Sequence, residues 1–381
     1  MNQCNCQIRY SLIAFIKNVG VANCYHSLLK CVREVSTMAP WLEFPHEMKN
    51  VTGEEDKILR KCLLGYTKPF VRCGEKEYVM AGSYRKHAEA IYNFQVRPDD
   101  VWVITVPRSG TTWVQELVWL VANNIDFKTA KDQPLYKRFP MLEVSTHIPE
   151  IAVELIKINF FNLGNFQGLN EAVKEKSWKS LDKAPSPRFI KTHLPLSMLP
   201  PNLLSTAKVV YVARDPRDVA VSYYYLYKMT NKSLLRANFT HFWEAFRRDL
   251  LPWTPIVAHA NEAFEQRHHP NLHIVFYENM KKDLHREIGK VAKFLNKDYT
   301  DAQIDRLAEH LSFDNLRKNK NVNNSINKDS EIQFIRKGEA GGWRAHFDEK
   351  MQLQAEEFLV TRLAGLELSY PSFPTNEITK L

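Results

Sequence analysis

The residues best suited to chemistry lie in a short turn, Arg108–Thr112, which carries one guanidinium, one glycine and three hydroxyl groups. The turn follows a β-rich run, Val101–Val106, that is typical of a buried strand. Apolar positions within Val114–Val121 repeat at helical spacing, and Thr112 and Gln115 have capping-box spacing, so a helix is predicted to begin at Thr112. Because N–H groups at a helix N-terminus favour an anion, the turn predicts a phosphate-binding site.

An ordinary turn would also use Ser, Gly and Thr, since these residues suit turns and helix caps. The stretch lacks the G-x-x-x-x-G-K-[ST] pattern of a Walker A loop. On its own it therefore leaves a plain strand–turn–helix connection open beside anion binding.

A second candidate stands at the end of another predicted strand, Arg188–His193, which Leu194 and Pro195 terminate. His193 would lie at the carboxyl end of this strand, where open α/β sheets bind their ligands. An imidazole can accept a proton near neutral pH, so His193 is a candidate general base. A single histidine is more often structural, but its position directly after Lys191 favours a role in the site.

The same arrangement recurs further along the chain. The predicted strand Val209–Ala213 is closed by Arg214, and Asp215 can cap the helix that follows. Ser222 lies two helical turns beyond Asp215, so Arg214 and Ser222 are candidates to hold one phosphate between them. The alternative is that Arg214 pairs with Asp218 and that Ser222 is a surface hydroxyl.

A third basic loop, Phe334–Trp343, sets Arg336 and Lys337 immediately before Gly338. Three basic turns and a histidine at a further strand end favour a doubly wound α/β sheet that holds a ligand with more than one phosphate-like group. The fold class predicted is a single α/β domain with a central parallel sheet flanked by helices.

The remaining elements are predicted from periodicity and β-propensity. They are one strand pair within Trp41–Met80, a short helix at Ser83–Asn93, a strand at His273–Tyr277, and helices at Glu278–Leu295, Asp301–Leu311 and Met351–Leu363.

Composition indicates a soluble globular protein, with 44% hydrophobic and 25% charged residues among 381. The net charge of +9 suits an anionic ligand, although composition alone also permits binding to nucleic acid or to a membrane surface. All six cysteines lie at or before Cys73 without metal-ligand spacing, which predicts a reducing compartment and neither a disulfide framework nor a metal site. No apolar run is long enough to cross a membrane.

Residues 1–40 lack acidic side chains before Glu34 and are expected to be a poorly ordered extension of a domain at 41–381.

Four stretches, taken together, resemble the cytosolic sulfotransferases. Pro107–Trp113 (PRSGTTW) is similar to the adenylyl-sulfate loop of the family, and Lys191–Pro195 (KTHLP) to the segment that carries its base. Ala213–Tyr224 is similar to the family's 3′-phosphate motif, and Arg336–Trp343 to its closing loop. The resemblance runs from about residue 41 to the C-terminus, and it is strongest to the branch that contains retinol dehydratase.

This resemblance implies an enzyme of EC 2.8.2 type with a P-loop-like turn that binds the donor 3′-phosphoadenosine 5′-phosphosulfate (PAPS), of which PAP is the product. The implied acceptor is a small phenol, alcohol, steroid-like molecule, retinoid or amine, as in small-molecule metabolism and detoxification. A cytoplasmic location is implied, with no metal, no nucleic-acid partner and no membrane span.

The resemblance also implies a role for each matched residue. His193 would be the general base and Lys191 a cation on the sulfuryl group. Arg108 would contact the bridging oxygen and the 5′-phosphate. The residues implied for the rest of the donor are Ser109, Gly110, Thr111 and Thr112 around the 5′-phosphate, Trp113, Tyr277, Ser312 and Phe313 around adenine, and Arg214, Ser222, Arg336, Lys337 and Gly338 around the 3′-phosphate.

Two departures from the family pattern stand out. Arg108 replaces a residue that is usually Lys, and arginine keeps the charge but is a planar fork that cannot lose its proton. Assistance to the leaving group is expected to survive, while fine control by Ser222 stays open. The family's dimer motif, K-x-x-x-T-V-x-x-x-E, reads here Arg344, Asp348, Glu349 and Leu353. A homodimer formed through that motif therefore also stays open.

Two other functions are compatible with the sequence. One is a dehydratase-type reaction, in which a sulfated allylic alcohol undergoes elimination at the same site. The other is a non-catalytic nucleotide-binding protein that has kept the fold, against which the intact His193 argues.

Overall fold

The computed structural model describes residues 41–157, 175–230, 237–323, 335 and 338–374. The chain divides into two compact units, Met1–Glu43 and Phe44–Leu381, and all the helices and strands described belong to the second. The extension predicted for residues 1–40 lies outside the described residues, as do Arg336 and Lys337, so these predictions stay predictions.

The strands, in chain order, are β1 (Met48–Asn50), β2 (Val71–Cys73), β3 (Tyr78–Met80), β4 (Val101–Thr105), β5 (Phe189–Thr192), β6 (Lys208–Ala213) and β7 (Leu272–Phe276). The α-helices are α1 (Gly53–Cys62), α2 (Ala88–Tyr92), α3 (Thr111–Ala122), α4 (Phe127–Asp132), α5 (Leu135–Arg138), α6 (Glu150–Lys157), α7 (Ser177–Lys183), α8 (Leu203–Thr206), α9 (Pro216–Thr230), α10 (Phe239–Arg247), α11 (Ile256–Glu265), α12 (Tyr277–Lys282), α13 (Leu284–Phe294), α14 (Asp301–His310), α15 (Phe313–Lys318) and α16 (Glu349–Leu363). Short 3₁₀ turns lie at Gly82–Lys86, Val144–Thr146, Leu196–Met198 and Gly342–Ala345.

The central sheet is parallel, with the strand order β5-β4-β6-β7. Val103 of β4 pairs with Lys191 of β5 on one side and with Val210 of β6 on the other. Helices flank this sheet, so the predicted fold class is confirmed.

The two faces of the sheet are covered by different helices. Val103 and Val210 pack in one apolar cluster with α3, whereas Trp102 and Tyr211 pack in the other with α9. Strands that are buried on both faces read as continuous apolar runs, which is why β4 and β6 could be predicted from the sequence.

Strands β4 and β6 are neighbours, yet the helices that follow them lie on opposite faces of the sheet. The chain therefore leaves the carboxyl ends of these two strands in opposite directions and opens a crevice between them. Crevices of this kind are where open α/β sheets bind ligands.

The structure corrects the sequence-based prediction in four places. The short helix predicted at Ser83–Asn93 is a 3₁₀ turn, Gly82–Lys86, followed by the separate helix α2. Helix α3 begins at Thr111, with Gly110 as its N-cap. Gln115 does not form the predicted capping box, because its side-chain amide donates to the Phe139 carbonyl. The predicted helix Glu278–Leu295 is two helices, since the Asp283 side chain caps α13. The predicted strand pair is a three-stranded antiparallel sheet, β1-β2-β3, whose strands of three residues are too short to show alternation. None of the helices within the described residues has the length and apolar character needed to cross a membrane.

Candidate active site

A cleft with about 1120 Å³ of empty space, partly open to solvent, lies at the carboxyl ends of β4, β5 and β6. The structure brings most of the predicted site residues to it. Those that line the cleft are Arg108, Gly110, Thr111, Thr112, Trp113, Lys191, His193, Arg214, Ser222, Tyr277, Phe313 and Gly338. Ser109 and Ser312 are described residues that do not line it.

The turn between β4 and α3 has an unusual backbone. Arg108 and Gly110 have φ values of 72° and 99°, in the left-handed region. A Cβ atom at position 110 would lie 2.7 Å from Cδ2 of Tyr277, so only glycine fits there. The first intrahelical bond of α3 runs from Val114 N–H to the Gly110 carbonyl at 3.1 Å. The amides of Thr111, Thr112 and Trp113 therefore have no acceptor within the helix and can bind an anion in the cleft.

Two arginines and a serine join the ends of β4 and β6. The Nε–H of Arg108 donates to Ser222 Oγ at 3.0 Å. Arg214 donates from Nη1 to the Arg108 carbonyl at 3.1 Å and lies over the Tyr277 ring at 4.0 Å. Its Nη2 lies 3.8 Å from Asp218 Oδ2, so the predicted alternative pairing of Arg214 with Asp218 is present. Ser222, however, is bound to Arg108 and is not a plain surface hydroxyl.

The loop after residue 337 is fastened to α9. The carboxylate of Asp218 accepts the backbone N–H groups of Gly341 at 2.7 Å and Trp343 at 3.0 Å. Gly338 has φ 65°, and a Cβ there would lie 2.2 Å from the Phe313 ring. Burial raises the pKa of Asp218, while the neighbouring Arg214 lowers it. The described part of the closing loop therefore lies beside both α15 and Arg214, a residue predicted to bind the 3′-phosphate.

The imidazole of His193 is held so that one nitrogen remains for chemistry. Its Nδ1 lies 2.7 Å from the carbonyl oxygen of Thr105, which can only accept, so Nδ1 carries the hydrogen. In the neutral ring Nε2 is then the basic nitrogen. His193 is 8% exposed and lines the cleft.

The environment keeps His193 and Lys191 less basic than usual. Burial lowers the pKa of His193 well below 6.5, and the nearby Lys191 lowers it further. Burial also lowers the pKa of Lys191, although the Glu143 carboxylate opposes this shift. His193 is therefore neutral at pH 7 and able to accept a proton.

A group of aromatic side chains also lines the cleft. Trp113 and Tyr277 meet edge to face with ring centroids 5.7 Å apart, and Phe313 lies beside them. Lys281 places Nζ 5.7 Å from the centre of the Phe313 ring. Ser312 instead caps α15, since its hydroxyl accepts the Asn315 N–H. These aromatic side chains can hold a planar ring.

Three residues that the sequence did not single out complete the site. Thr105 holds the His193 ring, the Glu143 carboxylate accepts the His193 N–H, and His259 donates to the His193 carbonyl. Only Glu143 had a signal, as the last residue of the RFPMLE stretch between two predicted elements.

Comparison with known proteins gives a consistent result. Residues 98–367 match the family described as "Sulfotransferase domain". The luciferin sulfotransferase of Photinus pyralis is 33% identical over 337 residues, which cover 85% of this chain and 86% of that protein. A crystal structure of retinol dehydratase with androsterone and inactive cofactor PAP, and another with retinol and PAP, each match at 40% identity and a TM-score of 0.80. Each match covers 87% of this chain and 100% of the other.

Proposed function

The chain belongs to the sulfotransferase family and is a sulfuryl-transferring enzyme, and we propose that its donor is PAPS and its acceptor a hydroxyl or amine of a small apolar or aromatic molecule. We place the reaction in the cytoplasm, because the sequence motifs resemble those of the cytosolic enzymes of the family. The observation that carries the proposal is the convergence of Arg108, the Thr111–Trp113 amides, Arg214 and His193 on one cleft.

The residues of the cleft fit a nucleotide with two separated anionic groups. Arg214 Nε and Trp113 Nε1 are buried donors that have no hydrogen-bond partner within the described part of the chain. An unpaired buried donor costs about 1–3 kcal/mol, so both atoms support a ligand that brings its own acceptors. The two retinol dehydratase structures were determined with PAP, the product form of such a donor.

The donor-binding roles follow from the cations and free helix N–H groups that line the cleft. When bound, PAPS supplies a sulfuryl group whose transfer leaves negative charge on a phosphate oxygen. The Arg108 guanidinium and the Thr111–Trp113 amides would hold that charge, and fixed donors of this kind lower the barrier. Arg214 with Ser222 would hold the 3′-phosphate, joined by Arg336, Lys337 and Gly338 of the closing loop.

His193 would act as the general base. Its Nε2 would take the proton from the acceptor hydroxyl or amine as that group attacks, and a positioned base contributes about 10²–10⁴-fold. Lys191, which also lines the cleft, would add positive charge beside the transferred group. Because His193 is neutral at pH 7, no prior deprotonation is needed.

We predict that His193→Ala abolishes turnover and leaves PAP binding intact, because the neutral imidazole contributes no positive charge to nucleotide binding. His268→Ala, at an exposed position, is the matched control and should keep full turnover. Turnover is measured with radiolabelled PAPS, and PAP affinity by calorimetry. Undiminished turnover in His193→Ala would overturn the assignment of the base.

A second candidate function has support of its own. The match to retinol dehydratase extends over 87% of this chain at 40% identity, which favours a retinoid or another allylic alcohol as acceptor. In that case the allylic sulfate ester would lose sulfate and a proton to form a further double bond.

An acceptor screen with radiolabelled PAPS tests both candidates. The panel contains a phenol, a steroid alcohol, an aromatic amine and retinol, and the products are separated by chromatography. A stable labelled ester supports sulfation, whereas an unlabelled anhydro product from retinol supports elimination. Transfer to none of the four would contradict the proposed acceptor class.

A further inference from the structure

Glu143 ends a short segment that lies along the edge of the central sheet. The Lys191 N–H donates to the Pro140 carbonyl at 2.9 Å, and the Leu142 N–H donates to the Lys191 carbonyl at 2.8 Å. These two bonds attach the segment to β5. Glu143 follows directly and is 0% exposed, so its carboxylate is buried beside the carboxyl end of that strand.

Both carboxylate oxygens of Glu143 accept hydrogen bonds from the end of β5. Oε1 accepts the His193 backbone N–H at 2.7 Å, and Oε2 accepts the Thr192 hydroxyl at 2.8 Å. The Thr192 oxygen in turn accepts the Leu194 N–H at 3.0 Å, so its own hydrogen is directed to Glu143. The bonds from His193 and Thr192 both require Glu143 as an acceptor, which the ionised carboxylate provides on both oxygens.

The opposite backbone group of His193 is held from a different element. Nε2 of His259, on α11, donates to the His193 carbonyl at 3.0 Å. Because that nitrogen carries the hydrogen, Nδ1 of His259 accepts, and the Tyr211 hydroxyl of β6 donates to it at 2.8 Å. His259 is 0% exposed, and burial lowers its pKa, so the ring stays neutral.

We propose that Glu143 and His259 form a clamp of positioning residues, which fixes both backbone groups of His193 and so aims its Nε2 at the acceptor. The proposal rests on the role proposed above for His193. Neither clamp residue is among the described residues that line the cleft, so each acts through His193 and not on the substrate. When the N–H and the carbonyl of His193 are both held, the imidazole can move only by rotation about its side-chain torsions. The hydrogen bond to the Thr105 carbonyl restricts those rotations.

The clamp gives activity a pH dependence separate from that of His193. Burial raises the pKa of Glu143 to about 7, against the lowering effect of the bonds from His193 and Thr192 and of the nearby Lys191. The buried Tyr84 also faces Glu143 but stays neutral, since burial raises its pKa well above 10. Protonated Glu143 has an O–H where an acceptor is needed, so kcat should fall as the pH drops through about 7. Protonation of His193 itself would reduce activity only at lower pH, because its pKa lies well below 6.5.

Glu143→Gln is the principal test, because glutamine keeps the size of the side chain and does not titrate. We expect kcat to fall by about 10²-fold, as a small misplacement of a catalytic group can cost that much, with an unchanged Kd for PAP. We also expect kcat to lose its dependence on pH near 7. His259→Phe should lower kcat similarly, and His259→Gln, which restores an N–H donor, should recover part of it.

Asp100→Asn is the matched control. Asp100 is an equally buried carboxylate that binds Arg188 just before β5, but at the opposite end of the strand. This variant should lose thermal stability and keep the pH profile of kcat. The ring of His193 provides a readout without substrate: nitrogen-15 spectra of the unliganded protein should show a smaller fraction of the Nδ1–H tautomer in Glu143→Gln than in the wild type or Asp100→Asn.

The outcomes separate the clamp from the proposed function. If Glu143→Gln keeps the wild-type kcat and pH profile while His193→Ala is inactive, the clamp is wrong and the base assignment stands. A loss of kcat in Glu143→Gln that matches that in Asp100→Asn, with no change in the His193 spectrum, would also overturn the clamp. If His193→Ala is fully active, the base assignment proposed above fails, and the clamp that rests on it fails as well.

Discussion

Arg108 combines charge with an uncommon backbone conformation. For a residue with a Cβ atom, a φ of 72° costs about 1–3 kcal/mol and persists only when the surroundings hold it. Here Arg214 donates to the Arg108 carbonyl and Ser222 accepts from its side chain. A lysine would offer a point charge with freely rotating donors, whereas the guanidinium plane is fixed by its Nε–H bond to Ser222. Hydrogen bonds therefore join the basic turn after β4 directly to Arg214 after β6 and to Ser222 of α9.

We predict that Ser222→Ala raises the Kd for PAP about tenfold, because a hydrogen bond to a charged group contributes about 1.5 kcal/mol. Without Ser222 Oγ the guanidinium of Arg108 loses the acceptor that fixes its plane. Calorimetric titration with PAP measures the change. Ser205→Ala, which removes an exposed hydroxyl on α8, should leave the Kd unaltered. An equal Kd in Ser222→Ala and wild type would contradict both the role of Ser222 in fixing the plane of Arg108 and its proposed contact with the 3′-phosphate.

The N-terminus of α9 ties several parts of the chain together. Asp218 holds the loop at Gly341 and Trp343, and Asp215 accepts the Ser372 hydroxyl at 2.7 Å. The Arg217 guanidinium lies 4.4 Å from the centre of the Trp343 ring. One helix end thus anchors both the closing loop and the C-terminal segment near residue 372.

We predict that Asp218→Asn speeds amide hydrogen exchange at Gly341 and Trp343 about tenfold in the unliganded protein. Asparagine keeps a single oxygen acceptor and no charge, and the loss of about 1.4 kcal/mol from local closure corresponds to a factor of ten. Exchange detected by mass spectrometry measures it.

Asp348→Asn is the control for Asp218→Asn, since Asp348 caps α16 by accepting the Met351 N–H. That variant removes the same charge from a helix N-terminus and should leave exchange in the loop unchanged. Equal exchange in Asp218→Asn and wild type would mean that other contacts fasten the loop.

At the scale of the molecule, strand–turn–helix units could be predicted from the sequence, whereas side-chain contacts between residues far apart in the chain could not. The turn at Arg108–Thr112 is recognisable because a strand, a turn and a helix follow one another within a few residues. The convergence of this turn with Arg214 and His193 could be expected as well, since parallel strands end at one edge of the sheet. Glu143 and His259, however, lie 50 and 66 residues from His193 in the sequence. Their contacts depend on the packing of an edge segment and of α11 against the sheet, for which neither stretch carries a periodic signal.

The cleft is built from the ends of three parallel strands and several following helices, so a ligand that bridges them should stabilise the whole folded domain. We predict that PAP at a hundred times its Kd raises the free energy of unfolding by about 2.7 kcal/mol, which corresponds to about 4 °C in Tm for a domain of this size. Adenosine 5′-phosphate at the same concentration lacks the 3′-phosphate proposed to bind Arg214, so it should stabilise less.

Arg214→Ala should bring the two nucleotides to the same small shift in Tm, because the variant removes the cation that distinguishes them. Differential scanning fluorimetry measures the shift in Tm for wild type and Arg214→Ala with each nucleotide. Arg267→Ala, which breaks a surface ion pair with Glu367, is the control and should keep the wild-type difference between the two nucleotides. If PAP and adenosine 5′-phosphate shifted the wild-type Tm equally, the 3′-phosphate would make no productive contact and the assignment of Arg214 would be wrong. A difference that survives in Arg214→Ala would instead assign the 3′-phosphate to other groups, with Arg336 and Lys337 as the next to replace.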